Sequence, residues 1–541
     1  MTENIQMLDV TLRDGAYITN GNFGIPALKG IIKKIQESNI EIIECGWLKN
    51  AEYVNGSSYF HVPSDLIPFI PEKKNNTTYV VMIDWDRYDL NYLPVNDGVS
   101  IDAIRVVFPY GKAAEAAVVA NEIKKKGYQV YFQIANTLAY SNDDLIELSD
   151  IINNVEPVSV SVVDTFGAMY EEDLERIVSV LDKNVNKKIK LGFHSHNNQQ
   201  LAFALTIHFV DNLKYSDREI ILDSSLCGMG RGAGNATTEL VASFLNRKHH
   251  GAYDMNAIMD AIDLYMEQFK EKYTWGYSTP YMIAGMYCCH VNNIAYLLEN
   301  HRTSSRDMKN IIESLSPEDR KKYNYDLLEE KFLQNQSQHI EDEEVINNLQ
   351  NILQNKKVLL IAPGKTSIAE KQKIDELINN EKPFVIGVNA ILPGYDYDRV
   401  LFVNKARYTF AKEVYTKDFK RFTKILLSNI KTDVDQKEEI INYERVIKRG
   451  WPHFDNAVIT CLRLLHILHV KNVLIAGFDG FKTKYNESYA DESLPTLNPD
   501  NNWNELNEEI RLMYQDFLAS EGKNINVHFV TESYFDNNTK S

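Results

Sequence analysis

The chain has 541 residues, room for two to four domains of ordinary size, and 44% of them are hydrophobic, enough for a sizeable core. Lysine plus arginine number 58 against 75 aspartates plus glutamates, a net charge of −17. That balance argues against nonspecific binding to nucleic acid or anionic membrane, both of which reward positive charge.

No apolar run approaches the roughly 20 residues of a membrane helix. The opening MTENIQMLDVTLRDG has no basic stretch followed by an apolar core, so no secretory signal is expected. Five cysteines (Cys45, Cys227, Cys288, Cys289 and Cys461) make no disulfide framework in so long a chain. The expectation is a cytoplasmic protein with reduced thiols.

Short apolar runs of strand character alternate with amphipathic helix patterns through the first 240 residues. The strand candidates are 6–12, 40–47, 78–84, 103–109, 129–135, 158–164, 188–196 and 219–225. Helix-like stretches such as 25–38, 113–127, 141–154 and 171–183 lie between them. Strand followed by helix, repeated, implies parallel pairing, because each crossover needs a connection of helix length. Eight such units in about 250 residues predict a (β/α)8 TIM barrel. A doubly wound open sheet is the rival, but "TLRDGAY" after the first strand is no GxGxxG turn.

The predicted barrel domain is 1–250. Residues 251–355 read as a helical extension and linker, and at 356–541 the strand and helix alternation restarts as a second, Rossmann-like α/β domain.

In a parallel barrel, functional side chains gather at the carboxyl ends of the strands. The first strand ends in Arg13-Asp14-Gly15. Glu44 lies in the second and Arg105 in the fourth. Asn136 follows the fifth, Asp164-Thr165 end the sixth, and His194-Ser195-His196 end the seventh. His194 and His196 are two apart, so along a strand both point to one side with Cα atoms roughly 6.5–7 Å apart. Two imidazoles and the Asp14 carboxylate can converge on one divalent cation acting as a Lewis acid: Mn2+ or Mg2+ first, with Co2+ or Zn2+ as alternatives. An HxH pair also occurs without a metal, and it is the position at the seventh strand end, opposite an RDG at the first, that favours ligation. Arg13 either pairs with Asp14 or aims its guanidinium at a substrate oxyanion. Glu44 and Arg105 are either a buried structural pair or substrate-binding groups. The loop GMGRGAGN (228–235) is either a flexible turn or a backbone cradle, with Asn235 able to bind metal or substrate.

The segments "LDVTLRDG", "VVDTFGAM", "GFHSHNN" and "CGMGRGAGNA", in that order and spacing, resemble the DRE-TIM metallolyases. That superfamily includes 4-hydroxy-2-oxovalerate aldolase, hydroxymethylglutaryl-CoA lyase and isopropylmalate synthase. The resemblance covers about residues 5–310, where "MIAGMYCCHVNNIAYLLENHRTSSRDM" is similar to the tail of the hydroxy-oxovalerate aldolases. It implies a metal on Asp14, His194 and His196, with Asn198 and Asn235 as further ligands. It also implies an enolate stabilised by Arg13, a substrate positioned by Thr165, and Asp164, Asn136, Glu44 and Arg105 as neighbouring substrate-binding positions. The sequence departs from those aldolases where they carry a histidine three residues after the aspartate. Tyr17 stands there, and an ordinary phenol is a weak base at neutral pH. Tyr287 and His290 are the alternative proton carriers.

In the second domain "APGKTS" lacks the first glycine of a P-loop, since Leu359 occupies that position. Residues 356–535 resemble, loosely, the nucleotide-sugar-binding fold of bacterial sialyltransferases. That implies a nucleotide or sugar site at Gly364, Ser367, Asn389 and Asp479; the alternative is a domain that only binds a partner.

The expected activity is metal-dependent aldol-type cleavage or formation of a carbon–carbon bond in a 2-oxo acid with an aldehyde partner, in making a surface-polysaccharide sugar. The alternatives are an acyl-CoA-dependent condensing enzyme or lyase, and a non-catalytic nucleotide-sugar-binding scaffold. A homodimer is allowed for; nucleic acid and membrane are not expected as partners.

Overall fold

A computed structural model describes residues 5–73, 76–301, 303–336, 340–430, 438–448, 450–451, 456–482, 486–495 and 503–536. The chain divides into two compact units, Met1–Val291 with Arg320–Lys322, and Asn292–Asp319 with Tyr323–Ser541. The helices between 251 and 355 are thus shared between the units.

The first unit is a closed barrel of eight parallel strands. They are β1 (Ile5–Asp9), β2 (Ile42–Leu48), β3 (Thr78–Asp84), β4 (Ala103–Phe108), β5 (Gln129–Ile134), β6 (Ser159–Asp164), β7 (Lys190–Ser195) and β8 (Ile220–Ser224). β1 pairs with both β2 and β8, which closes the sheet. Every residue of β2 and of β6 is buried, as expected of strands covered on both faces. Helix Ile25–Glu37 shows how the outer layer attaches: Ala27, Leu28, Ile31, Ile32 and Ile35 recur at helical spacing and all are buried. Helix Asn142–Val155 begins at a capping box in which Ser141 and Asp144 satisfy each other's backbone N–H.

Strand alternation sorts the barrel interior into layers. Leu8, Ile42, Val80, Ala103, Tyr131 and Ile221 form an apolar cluster. Two residues further along, on the same inward face, Ile42 gives way to Glu44, Ala103 to Arg105, Tyr131 to Gln133 and Ile221 to Asp223. The interior is therefore greasy at one end and ionic toward the other. Gly192 in β7 lies against Ser161 of β6, where a Cβ would collide with the serine side chain. Its absence gives Ser161 room to accept from Gln133 Nε2 at 2.9 Å.

The second unit holds a seven-stranded parallel sheet: β9 (Lys357–Ile361), β10 (Phe384–Val388), β11 (Arg399–Phe402), β12 (Thr423–Leu427), β13 (Glu438–Ile441), β14 (Asn472–Ala476) and β15 (Asn526–Phe529). Its order is β13-β12-β11-β10-β9-β14-β15. Leu359, Ile361, Val385, Val400 and Phe402 lie in its core.

Candidate metal centre at the barrel mouth

β1 runs straight into a single helical turn, Thr11–Asp14, all of it buried. The turn is anchored where Thr11 N–H donates to Asp9 and Leu226 N–H donates to Thr11 Oγ1. It puts Arg13 and Asp14 over the carboxyl end of the barrel. Asp14 Oδ2 stands 3.8 Å from His194 Nε2 and 3.7 Å from His196 Nε2. One potential ligand atom from each of the three lies within 4.8 Å of the others.

The other ring nitrogens decide the tautomers. His196 Nδ1 is 2.9 Å from the Asp164 carbonyl, which can only accept, so Nδ1 carries the proton. His194 Nδ1 approaches Asp223 Oδ2 to 3.1 Å, although its angle completes no hydrogen bond. His196 Nε2 is therefore the unprotonated nitrogen, and it and His194 Nε2 both face Asp14. Burial, reinforced for His194 by Arg13, pulls both histidines below their ordinary range and keeps them neutral. Burial would raise the Asp14 carboxyl, but it is held below the usual value, chiefly by the Arg13 guanidinium and with the Asn235 amide donating to it. Two neutral nitrogens and an ionised carboxylate facing one another suit a divalent cation. One further buried acceptor without a hydrogen-bond partner among the described residues, Asn235 Oδ1, fits the same conclusion.

Beneath the triad runs a chain of buried ion pairs. Arg13 donates Nη1 to Asp14 at 2.8 Å and Nε to Glu44 at 2.7 Å. Glu44 also accepts from Arg105 at 2.8 Å, and Arg105 passes on to Asp223, the acid beside His194. Glu44 and Arg105 are thus a fully buried pair inside the barrel that braces Arg13 and His194 from below. Asp223 is a site residue the sequence reading missed. Its signal was an acid at an inward position of the apolar run IILDS.

The glycine loop closes over one side. Asn235 Nδ2 donates to Asp14 Oδ2 and, at 3.2 Å, to the Met229 carbonyl. A side chain at Gly230 would strike both Asn235 and Asp14, so only glycine lets the loop lie on this pair. Asn198, expected near the metal, joins the surrounding loops instead: its Nδ2 donates to the Phe166 carbonyl and its Oδ1 accepts from Ala233 N–H, both at 2.9 Å. The Asp164 carboxylate folds onto its own turn, accepting from Ala168 and Met169 N–H, and burial raises it to about 7. Thr165 Oγ1 accepts from Asn136 N–H at 2.6 Å, which ties two adjacent strand ends together.

The candidate proton carriers behave differently from free side chains. Tyr17 packs edge-on to Trp47, and the Arg231 guanidinium lies 4.7 Å from its ring centre. Tyr17 keeps 43% of its surface exposed, and an ordinary phenol, pushed upward here rather than down, is already a poor base near neutral pH. Burial, with Arg231 and Arg87 behind it, lowers His290 to about 3. Tyr287 lies under the Arg320 guanidinium, 5.0 Å away. Arg231, whose charge also lowers His196, was not singled out from the sequence; its signal was a lone basic residue inside GMGRGAGN.

In the second unit Gly364, Asn389 and Asp479 line one cavity. Ser367 is fully buried and donates its hydroxyl to the Gly364 carbonyl, so it shapes the turn.

Residues 110–264 match the HMGL-like family model. An oxaloacetate decarboxylase of Mycobacterium tuberculosis is 28% identical over 271 residues, which cover 47% of this chain and 74% of that protein. A 4-hydroxy-2-oxovalerate aldolase of Bacillus cereus is 22% identical over 265 residues, 48% of this chain and 75% of that protein. Among solved structures, the hydroxymethylglutaryl-CoA lyase of Pseudomonas aeruginosa is 16% identical with a TM-score of 0.41, over 50% of this chain and 94% of that one. Residues 110–264 of the barrel thus match the HMGL-like family, and the relatives that align over this unit are a decarboxylase and an aldolase.

Proposed function

We propose that the barrel is a divalent-metal-dependent lyase that breaks, or in reverse forms, the bond between C3 and C4 of a 2-oxo acid, one carbon removed from the carbonyl, through a pyruvate-type enolate. The observation that carries this reading is the convergence of Asp14, His194 and His196 beside a clamped arginine. The three side chains would hold Mn2+ or Mg2+ in the first place, Co2+ or Zn2+ in the second. Bound there, the ion supplies a Lewis acid for the substrate's oxygens. Arg13 is fixed through Nε and Nη1, and its Nη2 has no hydrogen-bond partner among the described residues. That nitrogen is available to the charge that develops on the enolate oxygen, where a donor already in place needs no reorganisation. The relatives' names, a decarboxylase and an aldolase, agree with enolate chemistry. A role in surface-polysaccharide sugars is supported by the resemblance of residues 356–535 alone.

A second reading follows from Tyr17. Aldol cleavage needs a base to take the hydroxyl proton, whereas decarboxylation of a 2-oxo diacid needs only an acid to protonate the enolate afterwards. A phenol holds its proton at neutral pH, so Tyr17 can give a proton but not take one, which matches the second task only.

The test is pyruvate formation from 4-hydroxy-2-oxovalerate and from oxaloacetate, with EDTA and with Mn2+. EDTA abolishes activity, Mn2+ restores it, and Asp14→Ala is inactive with either substrate. Pyruvate from oxaloacetate alone selects the second reading. Thiol release from an acyl-CoA, with neither acid cleaved, selects a condensing enzyme; activity that persists in Asp14→Ala overturns the metal site.

A further inference from the structure

The second sheet changes direction at β9. The chain leaves β9 toward β10 and its neighbours on one side, and leaves β14 toward β15 on the other. In open parallel sheets the loops part at such a point and leave a crevice beyond the carboxyl ends of the strands. Here the two loops are Ala362-Pro363-Gly364 and Gly477-Phe478-Asp479. They are pinned together by Gly364 N–H donating to the Gly477 carbonyl at 2.8 Å, and both line the cavity.

Arg407 reaches the cavity from helix Lys405–Val414 and is only 5% exposed. Its Nη1 is buried and has no hydrogen-bond partner among the described residues. Its guanidinium lies 4.6 Å from the ring centre of Tyr489, another lining residue. Asp491 feels its charge, but that carboxylate already accepts from Tyr415 and Ser493, and no ion pair with Arg407 forms among the described residues. A buried guanidinium with an unused donor is costly unless an anion meets it. Two helices of ten and eleven residues, Lys405–Val414 and Ala457–Ile467, begin at the cavity behind the caps Asn404 and Asn456, and their dipoles favour negative charge there.

The rest of the lining is not anionic in preference. Phe478, Phe481 and Phe535 add aromatic surface. Asp479 accepts from Thr366 N–H and hydroxyl and leaves room only for hydroxyl or amine donors. We propose that this cavity binds a nucleoside phosphate, its phosphate at Arg407, its sugar hydroxyls toward Asp479 and its base against the aromatic side chains. The proposal is independent of the reading of the barrel.

The experiment is calorimetric titration of the full chain with AMP, CMP, GMP and UMP, with the corresponding nucleosides, and with inorganic phosphate. At least one monophosphate binds saturably below millimolar concentration, its nucleoside binds at least tenfold more weakly, and inorganic phosphate competes. Arg407→Gln weakens the monophosphate at least tenfold while the metal-dependent activity of the barrel is unchanged. No saturable binding of any monophosphate by the unaltered chain, or equal affinity for nucleoside and monophosphate, overturns the proposal. Those comparisons need no variant, so poor folding of Arg407→Gln leaves the outcome decisive.

Discussion

The two cavities treat buried charge in opposite ways. At the barrel mouth a run of buried charges is answered within the same unit: Asp14 by Arg13, Arg13 by Glu44, Glu44 by Arg105, and Arg105 by Asp223. In the second unit Arg407 is buried with a donor unused. A closed chain of ion pairs fixes side chains before any substrate arrives. An unanswered guanidinium makes occupancy itself the stabilising event, since a ligand that binds only the folded state adds its binding energy to folding. On the two proposals, the difference separates a site organised for chemistry from one organised for recognition.

The largest effect that would break this contrast is at Asp14. Asp14→Ala should abolish stoichiometric metal binding, read by elemental analysis, and lower kcat by roughly 10³. Glu44→Gln comes next. It leaves Arg13 and Arg105 short of a buried counter-charge, and urea unfolding should show a loss of about 3 kcal/mol. A loss near zero would mean that the ionic chain is not what stiffens the mouth. Arg13→Lys retains the charge but loses the planar fork, and should cost roughly 10² in kcat with metal content unchanged.

The effect that is smallest at any one pH step concerns His290. Its folded pKa, lowered by burial to about 3, lies below the unfolded value of about 6.5. The unfolded chain therefore binds the proton first, and the stability this residue contributes is present above pH 6.5 and lost as pH falls toward 3. In His290→Gln the acid limb of stability against pH should be shallower by about 1 kcal/mol per pH unit across that window, measured by thermal unfolding at fixed salt.

Much of this was legible in the order of residues. The period-two and helical patterns announced eight strands, with helices between most of them but none between Thr78–Asp84 and Ala103–Phe108 among the described residues, and the HxH and RDG segments announced the triad, because these signals are local. Asp223 was not legible as a partner of His194, since an acid in a strand has no address until the barrel places β8 beside β7. Arg231 was hidden for a similar reason: only the fold of the loop lays it over Tyr17. Asn198 had the right neighbours in sequence, yet its amide is committed to Phe166 and Ala233, because two loop carbonyl and N–H groups needed partners there. Arg407 carried no signal at all, since a helix of mixed composition does not reveal which of its cations will be buried.

The amino-acid order alone determined the barrel's strand count, the parallel class and the donor types at the first and seventh strand ends, because hydrophobic period and side-chain chemistry are properties of short segments; in the second sheet Thr423–Leu427 and Glu438–Ile441 were not read. Tertiary structure alone decided which charges meet, which imidazole nitrogen faces the carboxylate, and that His290 is displaced from useful basicity. Those outcomes depend on desolvation and on distances of a few ångströms between residues far apart in the chain, and no local pattern encodes either.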